Sequence, residues 1–349
     1  MSVVTDINTS STPASAGAPP SPELFFETAN AFQKTEALKA AVELELFTAI
    51  AEGKQTAEEI ASRCKASARG TRILCDYLVV NGFLTKQAGR YSLTRDSAVF
   101  LDKRSPGYIG GALRFLLLPQ QVEAYEHLAD AVRKGGTVME QHGIQPESPM
   151  WVEFAQSMAP MMTVPAELLA KLLKADEGKP WKVLSLAAGH GLYETTLARH
   201  NPQAQFWAVD WANVLEVARA NAARAGISDR YHTIPGSAFD VEYGNDYDLT
   251  LVINFLHHFD IADCEKLLKK AHASLNPGGR VVILELVPNE DRVSPRLPAT
   301  FPLIMLAGTP GGDTYTFKQY EQMLKNSGFR SSESHPLSPT FFSVVIGTK

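Results

Sequence analysis

Apolar residues recur at helical spacing along the first part of the chain, beginning just after Glu23. The positions that form this pattern are Leu24, Phe25, Ala29, Phe32, Ala37, Leu38, Ala41, Val42 and Leu46. A repeat of three to four residues predicts long amphipathic helices. Their apolar faces are wide, so we expect them to be buried against another subunit. The preceding residues, 1–21, are rich in Ser, Thr, Ala and Pro, which predicts a disordered tail.

The pattern then changes to shorter elements. Thr56 and Glu59 have the spacing of a capping box, which predicts the start of a helix. A further helix is expected through Arg72–Leu78, and after it two short apolar segments flank the turn at Ala88 and Gly89. Helix, helix and hairpin in this order predict a winged-helix-like domain over residues 22–110.

A winged-helix outline makes DNA binding a hypothesis that charge can test. Residues 22–110 contain 12 basic and 11 acidic residues, and the whole chain of 349 residues has a net charge of −5. A DNA-binding module needs a basic face to neutralise several phosphates. The near balance favours a dimerisation module, and a winged-helix DNA-binding regulator stays only as a remote alternative. Neither nucleic acid nor a membrane surface is expected as a partner.

Residues 111–175 are again mostly helical in pattern, with breaks at Gly135-Gly136 and at Pro146–Pro149. We expect this segment to be a helical linker that contributes to a substrate pocket. From Lys182 onward short apolar runs alternate with helical segments. The runs are Val183–Leu186, Gln205–Val209, Leu249–Ile253 and Val281–Leu284. This alternation predicts an α/β domain over residues 176–349, with a mostly parallel sheet whose ligands bind beyond the carboxyl ends of the strands.

The remaining composition places the protein in a reducing compartment. Cys64, Cys75 and Cys264 have neither C-x-x-C spacing nor an even number, so we expect free thiols and no structural zinc. The N-terminus lacks a signal-peptide pattern, and no apolar run is long enough to span a membrane. The sequence therefore predicts a cytoplasmic protein.

The first strand of the α/β domain runs into a loop of small residues, Ala187–Gly191, before a helix begins near Tyr193. Small residues let the backbone pass close to a ligand. A dinucleotide-binding turn would have a third glycine where Glu194 stands, so a pyrophosphate cradle and a nicotinamide enzyme are disfavoured.

Other strand ends add polar and aromatic groups at the same edge of the sheet. Asp210 follows the second strand, 19 residues after Gly191, where an acid can accept hydrogen bonds from ribose hydroxyls. Trp211 can flank an adenine, and small residues of the next strand end can meet its edge. The candidate cofactor-binding residues are Ala187, Gly189, Gly191, Asp210, Trp211, Ser237, Ala238, Phe239 and Asn254.

From about residue 23 to 349 the sequence resembles the small-molecule O-methyltransferases, which include plant caffeate enzymes, acetylserotonin methyltransferase and bacterial antibiotic-tailoring enzymes. Leu256–Phe259 is similar to a Leu-His-Asp-Trp segment of that family, and Asn276–Arg280 and Ser327–Phe329 strengthen the match. The resemblance implies a Rossmann-like catalytic domain, S-adenosylmethionine (SAM) as methyl donor, S-adenosylhomocysteine (SAH) as product, and no metal. It also implies a homodimer formed through the N-terminal domain.

The resemblance further assigns roles to individual residues. His257 falls at the general base and Glu285 at an acid that flanks it, while Asp313 is expected to reinforce the pair. A histidine base suits a phenol, because imidazole accepts a proton near neutral pH whereas a phenol ionises only near pH ~10. The residues that fall at the acceptor pocket are Phe154, Met158, Met161, His258 and Met305.

Five positions depart from the family pattern. Ser185 and Ser237 stand where acids are usual, Ala187 replaces a glycine, His258 replaces Asp, and Thr314 stands where a second flanking acid is expected. These departures leave alternatives open: non-methylating chemistry of a decarboxylase or hydroxylase kind, or methylation of nitrogen or carbon. The acceptor itself is not identified by the sequence.

Overall fold

The computed structural model describes residues 19–140 and 145–349. The chain divides into two compact units, Met1–Tyr108 and Ile109–Lys349. Residues 1–18 of the predicted disordered tail lie outside the described residues. Within the described part, no helix is both long and apolar enough to cross a membrane.

The first unit is helical with one hairpin, in the order that the sequence predicts. Its elements are α1 (Glu23–Ala29), α2 (Ala31–Glu43), α3 (Leu46–Ala51), α4 (Ala57–Cys64), α5 (Ala68–Val80), β1 (Leu84–Gln87), β2 (Arg90–Leu93) and α6 (Arg95–Phe100). The capping box at α4 is formed, since the Glu59 N–H donates to the Thr56 hydroxyl and the Thr56 N–H donates to the Glu59 carboxylate. β1 and β2 pair antiparallel around the turn at Ala88 and Gly89, both with positive φ.

The core of this unit is formed by α3, α4, α5 and the hairpin. Its largest fully buried side chains are Phe47, Leu46, Ile60, Leu78 and Tyr91. Helices α1 and α2 contribute little to it: the aromatic side chains of Phe25 and Phe32 are 69% and 64% exposed within this chain. Exposed aromatic rings on two adjacent helices are typical of a surface that another molecule covers.

The second unit begins with short helices and then becomes an α/β layer structure. Its helices are α7 (Leu113–Leu116), α8 (Pro119–Glu126), α9 (Leu128–Lys134), α10 (Pro149–Ser157), α11 (Ala159–Leu172), α12 (Leu192–His200), α13 (Ala212–Arg224), α14 (Ile261–Ser274), α15 (Arg296–Thr300), α16 (Pro302–Gly308) and α17 (Phe317–Asn326). Its strands are β3 (Lys182–Leu186), β4 (Gln205–Asp210), β5 (Tyr231–Pro235), β6 (Tyr247–Ile253), β7 (Leu275–Glu285), β8 (Ser331–Pro336) and β9 (Ser343–Thr348).

The seven strands form one twisted sheet in the order β5-β4-β3-β6-β7-β9-β8. Strands β3 to β7 are mutually parallel, and β9 runs antiparallel to both of its neighbours. The predicted mostly parallel α/β sheet is therefore confirmed. Because the strand order reverses beside β3, the carboxyl ends of β3, β4 and β6 open a crevice of the kind that binds ligands in such folds.

Alternating side chains of the strands supply two apolar cores, one on each face of the sheet. Val183 of β3 packs with residues of α11, α12 and α13, whereas Leu184 packs on the opposite face with residues of α14 and α17. Burial on both faces explains why the strands read as continuous apolar runs. It also fixes the register of every strand, and with it the positions of the strand ends that carry the site.

Candidate active site

The loop after β3 is a tight turn that only small residues can form. Ala187, Gly189 and Gly191 all have positive φ. A Cβ on Gly191 would lie 3.0 Å from the Tyr231 hydroxyl and 3.3 Å from the Cα of Ala218. This close approach of the turn to α13 and β5 requires glycine. The turn thus presents backbone at the carboxyl end of β3, as the sequence predicts.

Asp210 ends β4 and faces this turn. Its Oδ2 accepts the Gly189 N–H at 2.8 Å, and its Oδ1 accepts the Trp211 N–H at 2.7 Å. Burial raises the pKa of Asp210 to about 6, and these two hydrogen bonds only partly oppose that rise. A buried carboxylate at the end of the second strand is the arrangement that binds ribose hydroxyls in related folds.

The turn after β5 lies next to Asp210. The Gly236 N–H donates to the Asp210 carbonyl oxygen, and the Ser237 hydroxyl accepts the Phe239 N–H at 3.1 Å. Sequence reasoning missed what holds this turn in place: the ammonium group of Lys270, on α14, donates to the carbonyl oxygens of Ala238, Phe239 and Val241. No local motif marks a helix lysine for this role, since its partners are about 30 residues away.

His257 lies in a short 3₁₀ turn directly after β6, and its imidazole is held by a carboxylate. Its Nδ1 is 2.7 Å from Oε2 of Glu285, the last residue of β7, and its backbone N–H lies 3.4 Å from Oε1 of the same group. Both side chains are buried. Because a carboxylate accepts, Nδ1 carries the proton and Nε2 is left with a free lone pair. The structure therefore brings together the predicted histidine and its flanking acid.

His258 is partly buried beside His257, with the two ring centroids 4.2 Å apart. Its Nδ1 is enclosed and has no hydrogen-bond partner among the described residues, and the Trp151 ring meets the imidazole edge-on at 5.2 Å. Desolvation, with His257 next to it, lowers the pKa of His258 well below its usual value. His258 is therefore neutral at physiological pH.

Aromatic rings from α10 and from the segment before α16 surround this histidine pair. Phe154 packs edge-on against Trp151 at 5.8 Å and stacks with the His190 ring of the β3 turn at 6.5 Å. Phe301 meets the His257 ring edge-on at 5.1 Å. The predicted pocket residue Phe154 thus lies between the turn and the histidines, whereas Trp151 and Phe301 are additional residues that sequence reasoning did not select.

The three methionines predicted for the acceptor pocket differ in their solvent exposure. Met158 and Met305 are buried, but Met161 is 38% exposed. Met162, which is 5% exposed, is the residue of α11 that lies near the site: its sulfur is 3.5 Å from the Tyr193 hydroxyl and 3.9 Å from Nδ2 of Asn254. The helix turns by about 100° per residue, so a change of one position decides which thioether faces the sheet.

Asp313 does not contact His257 in the structure. Its Oδ2 pairs with the Arg292 guanidinium at 2.6 Å, and its Oδ1 accepts the Thr314 N–H. The Thr314 hydroxyl is buried and donates to the Pro298 carbonyl oxygen. The predicted reinforcement of the base by Asp313 therefore has no contact to support it. Glu285 is the acid that holds the imidazole.

Within residues 19–140 and 145–349, no group of three or more His, Cys, Asp or Glu side chains is placed so that it could hold a metal ion. The site consists of a glycine turn, the Asp210 carboxylate that accepts from its backbone, and a histidine held by a carboxylate. These features share one crevice of a mostly parallel sheet. Together, fold and site define the class of SAM-dependent methyltransferases.

The comparison with protein families identifies the family within that class. Residues 26–103 match the O-methyltransferase dimerisation domain, and residues 125–330 match the O-methyltransferase domain. The chain belongs to the O-methyltransferase family. Its expected enzyme class and its methyl donor, SAM, are thereby confirmed.

Individual relatives are similar to this protein along almost the whole length of the chain. The 3-hydroxy-5-methyl-1-naphthoate 3-O-methyltransferase of Streptomyces sahachiroi is 29% identical and covers 96% of this chain and 98% of its own. The crystal structure of a candidate O-methyltransferase from Nostoc punctiforme PCC 73102 is 52% identical, with a TM-score of 0.92, covering 95% of this chain and 100% of that one. Human N-acetylserotonin methyltransferase in complex with SAM shares the fold at 24% identity, with a TM-score of 0.81 over 96% and 99% of the two chains.

Proposed function

We propose that this protein transfers a methyl group from SAM to a hydroxyl group of a small aromatic metabolite, with His257 as the general base. The observation that carries the proposal is the 2.7 Å contact between Nδ1 of His257 and the Glu285 carboxylate. This contact leaves Nε2 as a proton acceptor at the edge of the crevice. The aromatic rings around it supply an apolar, flat surface on which a phenol packs.

The residues at the strand ends fit SAM. The Asp210 carboxylate would accept hydrogen bonds from the ribose, the Ala187–Gly191 turn would let its backbone approach the methionine end, and Trp211 with Ser237–Phe239 would meet the adenine. Asn254, at positive φ with its N–H bonded to the Leu284 carbonyl oxygen, would position the donor near His257. When bound, SAM supplies a methyl group that its sulfonium has already activated for transfer.

This chain's own residues would then perform two tasks, alignment and proton removal. The aromatic side chains hold the acceptor ring and exclude water from it. The His257 Nε2 would take the proton of the acceptor hydroxyl and so make its oxygen nucleophilic. Glu285 holds the imidazole in the required tautomer and stabilises the positive charge that the ring acquires.

The acceptor class is proposed from the pocket and from the relatives. Trp151, Phe154 and Phe301 form an aromatic surface near the histidines, and His258, whose ring lies against Trp151, is a candidate contact to the acceptor. The Streptomyces sahachiroi relative is named for a hydroxynaphthoate, and another, from Streptomyces glaucescens, for a tetracenomycin polyketide intermediate. We therefore propose a hydroxylated mono- or polycyclic aromatic acceptor. Met158, Met161 and Met305 stay as candidate lining residues.

The test of this proposal is a product search. Purified protein is incubated with SAM carrying an isotopically labelled methyl group and a panel of phenols, hydroxynaphthoates and anilines, and the position of the label is determined by NMR. Label on an oxygen is the expected result. Label on ring carbon would contradict it and would resemble the L-tyrosine C(3)-methyltransferase of Streptomyces lavendulae, a 27% identical relative. Loss of a carboxyl group without methylation would support the non-methylating alternative.

Replacing Asp210 by alanine is expected to weaken SAM binding roughly 10- to 100-fold, because the ribose loses charge-assisted hydrogen bonds and the Gly189 N–H loses its acceptor. Isothermal titration calorimetry measures the change. The matched control is Asp229→Asn, at an exposed position after α13, which should bind SAM as the wild type does. Equal affinity of the Asp210→Ala variant would remove Asp210 from the cofactor site.

We also propose that the chain forms a homodimer through α1 and α2. The dimerisation-domain match covers residues 26–103, and the exposed aromatic rings of Phe25 and Phe32 lie on these two helices. Substituting both by aspartate should convert the dimer to a monomer, measured by light scattering after size exclusion, because two buried charges would face an apolar partner surface. Val80→Asp, at an exposed position of α5, is the control that should leave the mass unchanged. A dimer that persists in the double variant would place the interface elsewhere.

A further inference from the structure

A carboxyl group that the proposed mechanism does not use lies beneath the cofactor turn. Glu194 is the third residue of α12, directly after the Ala187–Gly191 turn, and its side chain is 1% exposed. Neither of its carboxyl oxygens has a hydrogen-bond partner that meets normal geometry. A buried carboxyl group without a counter-charge is costly to ionise, and the positive charge of a ligand would offset that cost.

The groups around Glu194 provide no positive charge. The Ser185 hydroxyl of β3 lies next to the Glu194 carboxyl group, and Asp210 of β4 is a second acid close to it. The negative charge of Glu194 also acts on the phenol groups of Tyr193 and Tyr231. The Tyr231 hydroxyl is itself buried without a partner. Arg219 acts on Tyr231, but its guanidinium group is bound at the surface to Glu216 and Thr233. Among the described residues, the side chains around Glu194 therefore form an acidic group without a paired cation.

We propose that Glu194 acts on the positively charged methionine end of the cofactor and, through the sulfonium charge that SAH lacks, selects SAM over SAH. The position of Ser185 supports this inference, because the strand acid that is usual there is missing while α12 supplies an acid beside it. The carboxyl group has moved from strand to helix. The inference rests on the cofactor placement proposed above and is independent of the acceptor and of His257.

The proposal predicts that SAM binding is linked to pH. In the free protein burial raises the pKa of Glu194 to about 7, and Asp210 also has a raised pKa, of about 6. The arriving cation favours the ionised carboxylate, so binding releases a proton. The dissociation constant for SAM should fall about twentyfold between pH ~6 and pH ~8, of which loss of the Glu194 proton accounts for about tenfold and loss of the Asp210 proton for about twofold. Tyr193 and Tyr231 stay protonated throughout this range because burial raises the pKa of both.

The raised pKa of Glu194 also makes folding stability depend on pH, and this dependence is opposite in direction to that of SAM binding. An unfolded Glu ionises near pH ~4.5, whereas folded Glu194 keeps its proton to about pH 7. The buried neutral carboxyl therefore contributes stability at acid pH that is lost as the pH rises from about 4.5 to about 7. Replacing it with the neutral, isosteric glutamine should leave the Tm of the free protein at pH ~8 equal to that of the wild type or higher.

The experiment compares wild type, Glu194→Gln and the control Glu216→Gln, whose exposed carboxylate lies on α13. Calorimetric titrations with SAM and with SAH are run at pH ~6 and ~8, in two buffers of different ionisation enthalpy that reveal proton release. We expect Glu194→Gln to weaken SAM binding roughly tenfold at pH ~8 and SAH binding less than about threefold. The dependence of SAM affinity on pH should shrink to the roughly twofold change that the titration of Asp210 causes.

A second variant restores the negative charge from strand β3. Ser185→Asp combined with Glu194→Ser places the acid on β3, and it should recover the preference for SAM; this variant carries the test if Glu194→Gln fails to fold. Equal loss of SAM and SAH affinity together with a lowered Tm would assign Glu194 to the stability of the turn alone and overturn the inference. Unchanged affinity for SAM would overturn it as well. Absence of SAM binding by the wild type is a different result, since it would refute the cofactor placement itself.

Discussion

Replacing His257 by alanine is expected to lower kcat by roughly 10²- to 10⁴-fold, the usual contribution of a general base. The acceptor hydroxyl would have to lose its proton to water, and a phenol does so poorly at neutral pH. The dissociation constant of SAM should stay within about twofold of the wild-type value, because the imidazole acts on the acceptor and not on the nucleoside. Steady-state kinetics and calorimetry on the same preparation measure the two quantities.

The pH profile gives a second readout for His257. The pH dependence of kcat/KM in the alanine variant should differ from that of the wild type, because the group that removes the acceptor proton is missing. His335→Ala is the control, since His335 lies on the edge strand β8 and its side chain is 35% exposed. If His257→Ala turned over at the wild-type rate with an unchanged profile, His257 would have no part in proton transfer.

Replacing Glu285 by glutamine should produce a loss close to that of the His257 variant. The carboxylate at 2.7 Å accepts the Nδ1 proton, which keeps Nε2 free for the acceptor. A glutamine amide can instead donate to Nδ1, which moves the proton to Nε2 and removes the base. We expect kcat to fall on the order of 10²-fold or more, with SAM affinity retained, as in other enzymes whose histidine tautomer is lost.

A double variant distinguishes this role of Glu285 from a general loss of stability. If the two residues act as one unit, His257→Ala combined with Glu285→Gln should be no slower than His257→Ala alone. Additive losses would show that Glu285 acts independently of the histidine. Glu333→Gln, at an exposed position of β8, is the control and should leave kcat unchanged.

The site residues that could be predicted are those at the ends of strands. Asp210 ends β4, Glu285 ends β7, and His257 lies in the short 3₁₀ turn that follows β6, so a parallel sheet brings all three to one edge. The Ala187–Gly191 turn was recognisable for a related reason, because small residues after an apolar strand signal close backbone approach to a ligand. The positions of these residues depend on local pattern and topology, whereas the roles of His257 and Glu285 were assigned by the resemblance to the O-methyltransferases.

Residues outside the strand ends could not be placed in this way. Asp313 has the chemistry of a flanking acid, but Arg292 competes for its carboxylate and the loop directs it away from His257. Met161 and Met162 are neighbours in sequence, and the packing of α11 on α12 decides which of them reaches Asn254. Each outcome depends on contacts between segments far apart in the chain.

Glu194 is another residue whose surroundings could not be predicted from the sequence. In the sequence it counts only as a missing glycine, which disfavours a dinucleotide-binding turn. In the structure the register of α12 on β3 buries its carboxyl group beside Ser185, where a charge has a consequence for ligand choice. Burial cannot be determined from a single position, since it depends on the elements that pack over it.

The sequence by itself determined the α/β sheet, the helical domain with its hairpin, the Ala187–Gly191 turn, and the histidine and acid at neighbouring strand ends. It did so because hydrophobic periodicity and turn chemistry act over a few residues, and because parallel strands necessarily align their carboxyl ends. Only the tertiary structure decided that Asp313 pairs with Arg292 and not with His257, which aromatic rings lie against the histidines, how Lys270 fixes the turn after β5, and that Glu194 lies buried without a counter-charge among the described residues. Those features are set by distances between atoms of remote segments, which close packing fixes and local sequence does not encode.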